Sequence, residues 1–437
     1  MVDRAVRWGQ SNQVFINLDT GAAVTQALNM IWQPIIQQLL DPTTGITIPG
    51  NQFAIGTIGS VLGTAIGGIG IISRNSSGSP LLALQGDGYH GVVGGEHWVR
   101  PAPPSNPTLF DDWPTWPLTN AGLNVRDYVA GLTTPQKADL KGIGVLLNEF
   151  DVTGYPLQRS WIEDDPRVWA YGCMRMATEI RTQAGKTAAQ MPLSIMAPIP
   201  YSSGNNQAYE IVHQAMMIVA RDARMHARVV IGNCMDVVLD RNDGVGGDDG
   251  AYRFHLNGAD QVYLARKLAY AEARTPMARQ WNPNALNHAG HGPEIVWARW
   301  IDSTTLDVFV CHDGGANLTL PATATRGWRV EYAGREVAVS GATVPDGRRV
   351  RLTLATACPV PEMARVNYGW GSSRLIEGGT GSHGTGGIYD DASTWDAKAI
   401  PAALTGADRV NMILRKTPYG GLRAATGAPP TDILLPL

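Results

Sequence analysis

Charge is scarce in this chain. Asp, Glu, Lys and Arg make up 17% of its 437 residues, and they nearly cancel, to a formal net charge of -3. That balance offers no basic field to draw nucleic acid and no run of like charges that would mark an interaction tail. Cysteine is scarcer still: Cys173, Cys234, Cys311 and Cys358 stand far apart. No CxxC or CxxxH spacing points to zinc, and four buried thiols account for them, so cysteine usage does not fix the compartment. The chain opens without the charged, apolar and small-residue succession of a secretory signal. A strand pattern starts at once, and the expectation is a processed chain or a module of a longer protein. An extracellular or surface-associated role is compatible with this.

Long apolar runs are missing too, with one exception. Residues 53–73, "FAIGTIGSVLGTAIGGIGIIS", carry no charge, and their length and Gly-xxx-Gly spacings would allow a packed transmembrane helix. The run is rich in Gly and poor in Leu, and it has no basic flank. It reads better as a short helix near 52–63 followed by a buried strand near 66–72, because a fully buried parallel strand is continuously apolar. No membrane partner is expected.

What the chain does have is an apolar fraction of 44%, enough for a substantial core. Its length allows two domains, or one domain with a large appendage. Strand patterns at 4–8, 66–72, 143–148, 193–199 and 228–232 alternate with helical ones. The clearest helix spans 164–184: an aspartate caps it, Pro166 fits its first turn, Gly185 closes it, and Val168, Tyr171, Met174 and Ala177 recur at helical spacing. A second runs over 207–225. A third starts at Asn257, with Asp260 as a capping-box-like partner, and reaches about Arg274. This alternation predicts an α/β fold, a three-layer α/β/α arrangement on a parallel sheet, over 1–285. Period-two segments such as "EIVWARW", "TLDVFVCH" and "RVRLTL" then predict a small antiparallel β domain within 286–437. The Gly-, Ser- and Thr-rich remainder reads as long loops folded back on the body.

The stretch "RWGQSN", residues 7–12, follows the first strand directly. Ser11 is either a plain turn serine or a nucleophile at the carboxyl end of a parallel strand, where open α/β sheets bind their ligands. A serine nucleophile needs a base. His255 stands at a comparable strand-to-helix junction late in the α/β region.

These residues resemble the SGNH hydrolase superfamily, in particular the sialate O-acetylesterase-like carbohydrate esterases. "GQSN" is similar to their nucleophile block. "GIGIISRNSSGSPLL" is similar to the strand and glycine block, with Gly78 as the matching glycine. "LLNEFD" resembles a third block, which typically reads Gln-Gly-Glu-x-Asp: Glu149 and Asp151 match, while Leu147 and Asn148 replace the first two residues. His255 before a terminal helix resembles the last block, and "VNYGW", 366–370, resembles the C-terminal part of such esterases. The four blocks stand in the family's order across about 4–275. One departure is plain: the aspartate usual three residues before the histidine is here Tyr252. "GGDDGAYRFHLN" reads as though three residues had been gained after Gly250, which leaves Asp249 as the best replacement and Asp248 next.

The resemblance implies a serine esterase acting on an O-acylated, and more narrowly an O-acetylated, carbohydrate. Ser11 would attack, His255 would shuttle its proton, Asp249 would orient the imidazole, and the N–H groups of Ser11 and Gly78 with the amide of Asn148 would form the oxyanion hole. Such a mechanism calls on no metal and no organic cofactor. A lipase or thioesterase of the same superfamily, and a catalytically idle carbohydrate-binding surface protein, are the rival readings. Trp98, Trp113 and Trp116 crowd a Pro-rich insertion, where they either stack on sugar or pack the insertion itself. "DRNDGVGGDD", 240–249, lacks the ligand spacing of a calcium loop. His90, Glu96 and His97 share no helix face that would align them on a metal.

Overall fold

The apolar run of the first strand and the alternating runs after residue 293 fold as their periods require. A computed structural model describes residues 3–9, 69–75, 99, 112–146, 165–199, 206–237, 263, 264, 267, 292–312, 316–320, 325–371, 375, 386–391, 413–417 and 421–426. Five strands form one wholly parallel sheet: β1 (Asp3–Gly9), β2 (Ile69–Asn75), β3 (Leu140–Leu146), β4 (Leu193–Met196) and β5 (Ala227–Ile231), in the order β2-β1-β3-β4-β5. All five expected strands are present; β2 lies three residues later than expected, and β3 starts three residues and ends two residues earlier. Leu193 to Met196 are buried throughout, as a strand covered on both faces demands.

Four helices are described: α1 (Asn120–Ala130), α2 (Thr134–Ala138), α3 (Pro166–Ala184) and α4 (Asn206–Arg221). The ends of α3 follow from its sequence. Asp165 accepts from the Arg167 N–H at 2.9 Å, Pro166 occupies the first turn, and Gly185 closes the helix at φ +67°. Helix α3 packs on both α1 and α4. The helix expected near 52–63 lies outside the described residues. Of the one expected from Asn257, Tyr263, Leu264 and Lys267 are helical.

The expected antiparallel region is a pair of sheets. One runs β11-β12-β7-β6 and the other β10-β9-β13-β15, built from β6 (Glu294–Asp302), β7 (Thr305–Cys311), β9 (Trp328–Tyr332), β10 (Arg335–Val337), β11 (Val339–Asp346), β12 (Arg349–Leu354), β13 (Arg365–Tyr368) and β15 (Leu422–Arg423). Two short strands, β8 (Leu318–Thr319) and β14 (Tyr389–Asp390), pair beside them. Ala298, Trp300, Leu306, Val308, Val350 and Leu352 from the first sheet share one buried cluster with Trp328, Val330, Val366 and Tyr368 from the second. That is the interior of a sandwich. Met235, just after β5, belongs to the same cluster and joins it to the parallel sheet.

The four cysteines are free thiols, three of them buried. Trp113 and Trp116 are buried at 6% and 1% exposure. Trp113 stacks on Tyr171 of α3 with ring centroids 6.1 Å apart, and the Trp116 carbonyl accepts from Arg175 of α3 at 2.9 Å. Both tryptophans therefore pack the insertion onto α3, and neither ring face is open to a sugar. No helix among the described residues is long and apolar enough to cross a membrane.

Arg181, on α3, is 4% exposed, and burial holds its pKa down to about 10. Its guanidinium donates to the Met191 carbonyl before β4 (2.8 and 2.9 Å) and to the Met225 carbonyl before β5 (2.7 Å). Arg181→Met should destabilise the protein by about 2–4 kcal/mol, because two buried acceptors lose their donor. Urea unfolding monitored by circular dichroism checks this.

Candidate active site

Parallel pairing fixes where a site can form. Gly9 pairs with Asn75 on one side and Leu146 on the other, Leu146 pairs with Met196, and Met196 with Ile231. These are the last residues of β2, β1, β3, β4 and β5, so the five strands end flush in one cross-sheet row. Neighbouring strands lie about 4.8 Å apart. The order β2-β1-β3 also makes β1 the point where the chain turns from one side of the sheet to the other, which is where open α/β sheets form ligand crevices.

Ser11, Gly78, Asn148, Asp249, His255 and Trp98 lie outside the described residues. So do the "DRNDGVGGDD" segment and His90, Glu96 and His97. Three of these calls follow described strand ends closely in sequence: Ser11 is two residues after Gly9, Gly78 three after Asn75, and Asn148 two after Leu146. Among the described residues no group of three or more His, Cys, Asp or Glu side chains could hold a metal.

The segment after β5 is a described part of this edge, and it carries polar groups that sequence reading missed. Asp236 has no exposed surface. Its Oδ2 accepts from the Tyr263 hydroxyl (2.5 Å) and the Tyr389 hydroxyl (3.2 Å), and its Oδ1 from the Lys267 ammonium (3.2 Å). Lys267 also donates to the Asn233 carbonyl at 2.6 Å, and Asn233 bonds the Met235 N–H and the Leu414 carbonyl. Burial, then the neighbouring Asp236 charge, hold both tyrosine hydroxyls well above the usual phenol range, so they stay donors. Tyr263 and Lys267 stand four apart, the helical spacing that puts two side chains on one face. That spacing was visible in the sequence. Asp236 was not: an isolated aspartate in "NCMDVV" announces no partners that lie 27, 31 and 153 residues away.

A second buried cluster joins α4 to the sandwich. Glu210 of α4 accepts from the Lys416 ammonium and from the Gly371 N–H at 2.7 Å, and Lys416 donates also to the Gly369 carbonyl. Gly371 sits at φ +73°, and a side chain there would strike Asn206, so the turn directly after "VNYGW" both docks on α4 and requires glycine. One turn along α4, His213 bonds the Gly232 carbonyl through Nε2 at 3.2 Å. Burial first, then the Lys416 charge, pull its pKa down to about 3, so the ring is neutral and Nε2 carries the hydrogen.

No protein-family model matches the chain, and no curated protein matches it. Among solved structures, a carbohydrate acetylesterase from Xanthomonas citri is similar, with 15% identity over 85% of this chain and 76% of that one, at a TM-score of 0.48. The N-terminal part of the bacterial S-layer protein SbsC has 18% identity over 25% of this chain and 24% of that one, at a TM-score of 0.14. Likenesses of this degree carry no argument about activity.

His213 gives a signed pH dependence. Its folded pKa lies below the ordinary 6.5, so between about 3 and 6.5 the unfolded chain binds the extra proton. Stability should therefore fall as pH falls through that window, by up to about 1.4 kcal/mol per pH unit from this group. His213→Gln, which can keep an N–H for Gly232, should flatten that slope in urea unfolding across the window. An unchanged slope would assign the acid sensitivity to other groups.

Proposed function

We propose that this chain is a serine esterase of the SGNH type, with a three-layer α/β/α body, that removes O-acetyl groups from a carbohydrate. One observation carries the reading: the segments "GQSN", "GSP" and "NEFD" leave three adjacent parallel strands whose last residues stand in one row. A nucleophile after the middle one of these strands, with oxyanion donors after its two neighbours, is an arrangement that suits acyl transfer. The carbohydrate and the acetyl group rest on the sequence resemblance.

In this mechanism His255 takes the proton of Ser11 as its oxygen attacks the ester carbonyl. The negative charge that develops on the carbonyl oxygen is met by the N–H groups of Ser11 and Gly78 and by the Asn148 amide. The tetrahedral species collapses as His255 returns the proton to the leaving alcohol, and water repeats the sequence on the acyl-enzyme. Asp249 holds one imidazole tautomer and stabilises the imidazolium.

Acetyl, butyryl and octanoyl chromogenic esters offered to wild type and Ser11→Ala test the reading. Acetate should turn over fastest, and Ser11→Ala and His255→Ala should each lower kcat by on the order of 10⁴-fold, with the double variant little worse than either. No turnover of any ester would point to a binding protein, and equal rates on acetate and octanoate to a lipase. Asn148→Ala should cost roughly 10²–10³-fold in kcat with little change in KM. Asp249→Asn should lower both kcat and the kinetic pKa of His255, since removing a negative charge disfavours the protonated ring.

A further inference from the structure

We infer that Asp236 is a positioning residue for this chemistry: its carboxylate fixes the helical segment of Tyr263 and Lys267 on the chain that follows β5, and the histidine that the esterase reading uses stands eight residues before Tyr263 in the sequence. The inference rests on the esterase reading for what is positioned. The clamp itself stands on geometry.

Asp236 follows Ile231, the end of β5, by five residues, so it belongs to the edge where the strands finish together. Its three donors come from two remote parts of the chain. Tyr263 and Lys267 reach it from one face of one helix, and Tyr389 reaches it from β14 beside the sandwich. Two directional contacts one turn apart determine both the rotation of a helix and its height. Lys267, 1% exposed, is tied at the same time to Asp236 and to the Asn233 carbonyl, which locks the helix to the backbone after β5. An apolar contact of equal size would hold the helix as firmly but would let it slide. Buried ion pairs are rarely the most stabilising choice, and their best-attested use is to specify one register. Catalysis rewards that specificity, because a misplacement of about 1 Å in a reacting group costs on the order of 100-fold. Tyr389 gives the sandwich a share in setting that register.

Tyr389→Phe and Lys267→Met test this. The first removes a single hydroxyl and keeps the ring. The second keeps the two tyrosine donors on Asp236. The concentration of competent sites is titrated with a serine-directed phosphonate, so that misfolded protein does not count. On a chromogenic acetate, each variant should lose 10-fold or more in kcat per titrated site with KM within 2-fold. Amide exchange across 255–270 should accelerate. Unchanged kcat per titrated site, with or without faster exchange, overturns the inference, since the network is then purely structural. Unchanged exchange overturns it as well. If wild type turns over no ester and takes no phosphonate, the esterase reading itself fails, and the exchange data alone decide whether Asp236 fixes this segment.

Discussion

Parallel strand pairing is the constraint on which the rest of this molecule depends. Two parallel neighbours cannot be joined by a tight turn, so each strand must be followed by a crossover that returns the chain to the same starting edge. Every strand then runs the same way, and every carboxyl end faces the same side. Here the register makes the effect sharp, because Asn75, Gly9, Leu146, Met196 and Ile231 form a single row. Segments far apart in sequence are delivered to one edge by backbone hydrogen bonding, before any side chain contributes.

The buried polar groups solve a different problem. Apolar packing joins the sandwich to the parallel sheet through residues such as Met235, yet apolar packing is tolerant of small rotations and slips. Glu210 with Lys416, and Asp236 with Lys267 and the two tyrosines, are not. Each places a charge where water cannot reach, and each charge is acceptable only with its partners in one geometry. Both carboxylates are met by groups from the C-terminal third of the chain. The sandwich is therefore part of how the α/β region is held, as well as a neighbour to it.

The α/β region was largely legible. Buried parallel strands declare themselves as short apolar runs, and α3 carried its cap, its proline and its closing glycine in plain view. Period-two alternation announced the antiparallel strands of the sandwich, while their division into two sheets, one of them completed by β13 and β15 from the stretch read as loops, was not legible. Boundaries were less readable: β2 was expected at 66–72 and spans Ile69–Asn75, because Ser73, Arg74 and Asn75 pair with Arg7, Trp8 and Gly9 despite their polarity. Backbone pairing does not consult side-chain hydropathy at a strand's end. The tryptophans show the converse limit. Local sequence gave Trp113 and Trp116 two roles, and only the tertiary contact with α3 separates them. Asp236 and Glu210 were unreadable for the same reason, since their meaning resides in partners up to 206 residues away.

That last separation bears on how the protein is made. A ribosome releases Glu210 long before it releases Lys416, and β13 before β15, which completes the second sheet; two residues beyond β15, Ala425 bridges to Arg299 of the first. Until Lys416 is made the carboxylate on α4 has no ammonium, and for the shorter interval between β13 and β15 the second sheet has an open edge. Translation proceeds at about 5–20 residues per second, so the wait of Glu210 for Lys416 is of order ten seconds or more. The contact that seals the junction between the molecule's halves can therefore form only after both sheets of the sandwich have been started.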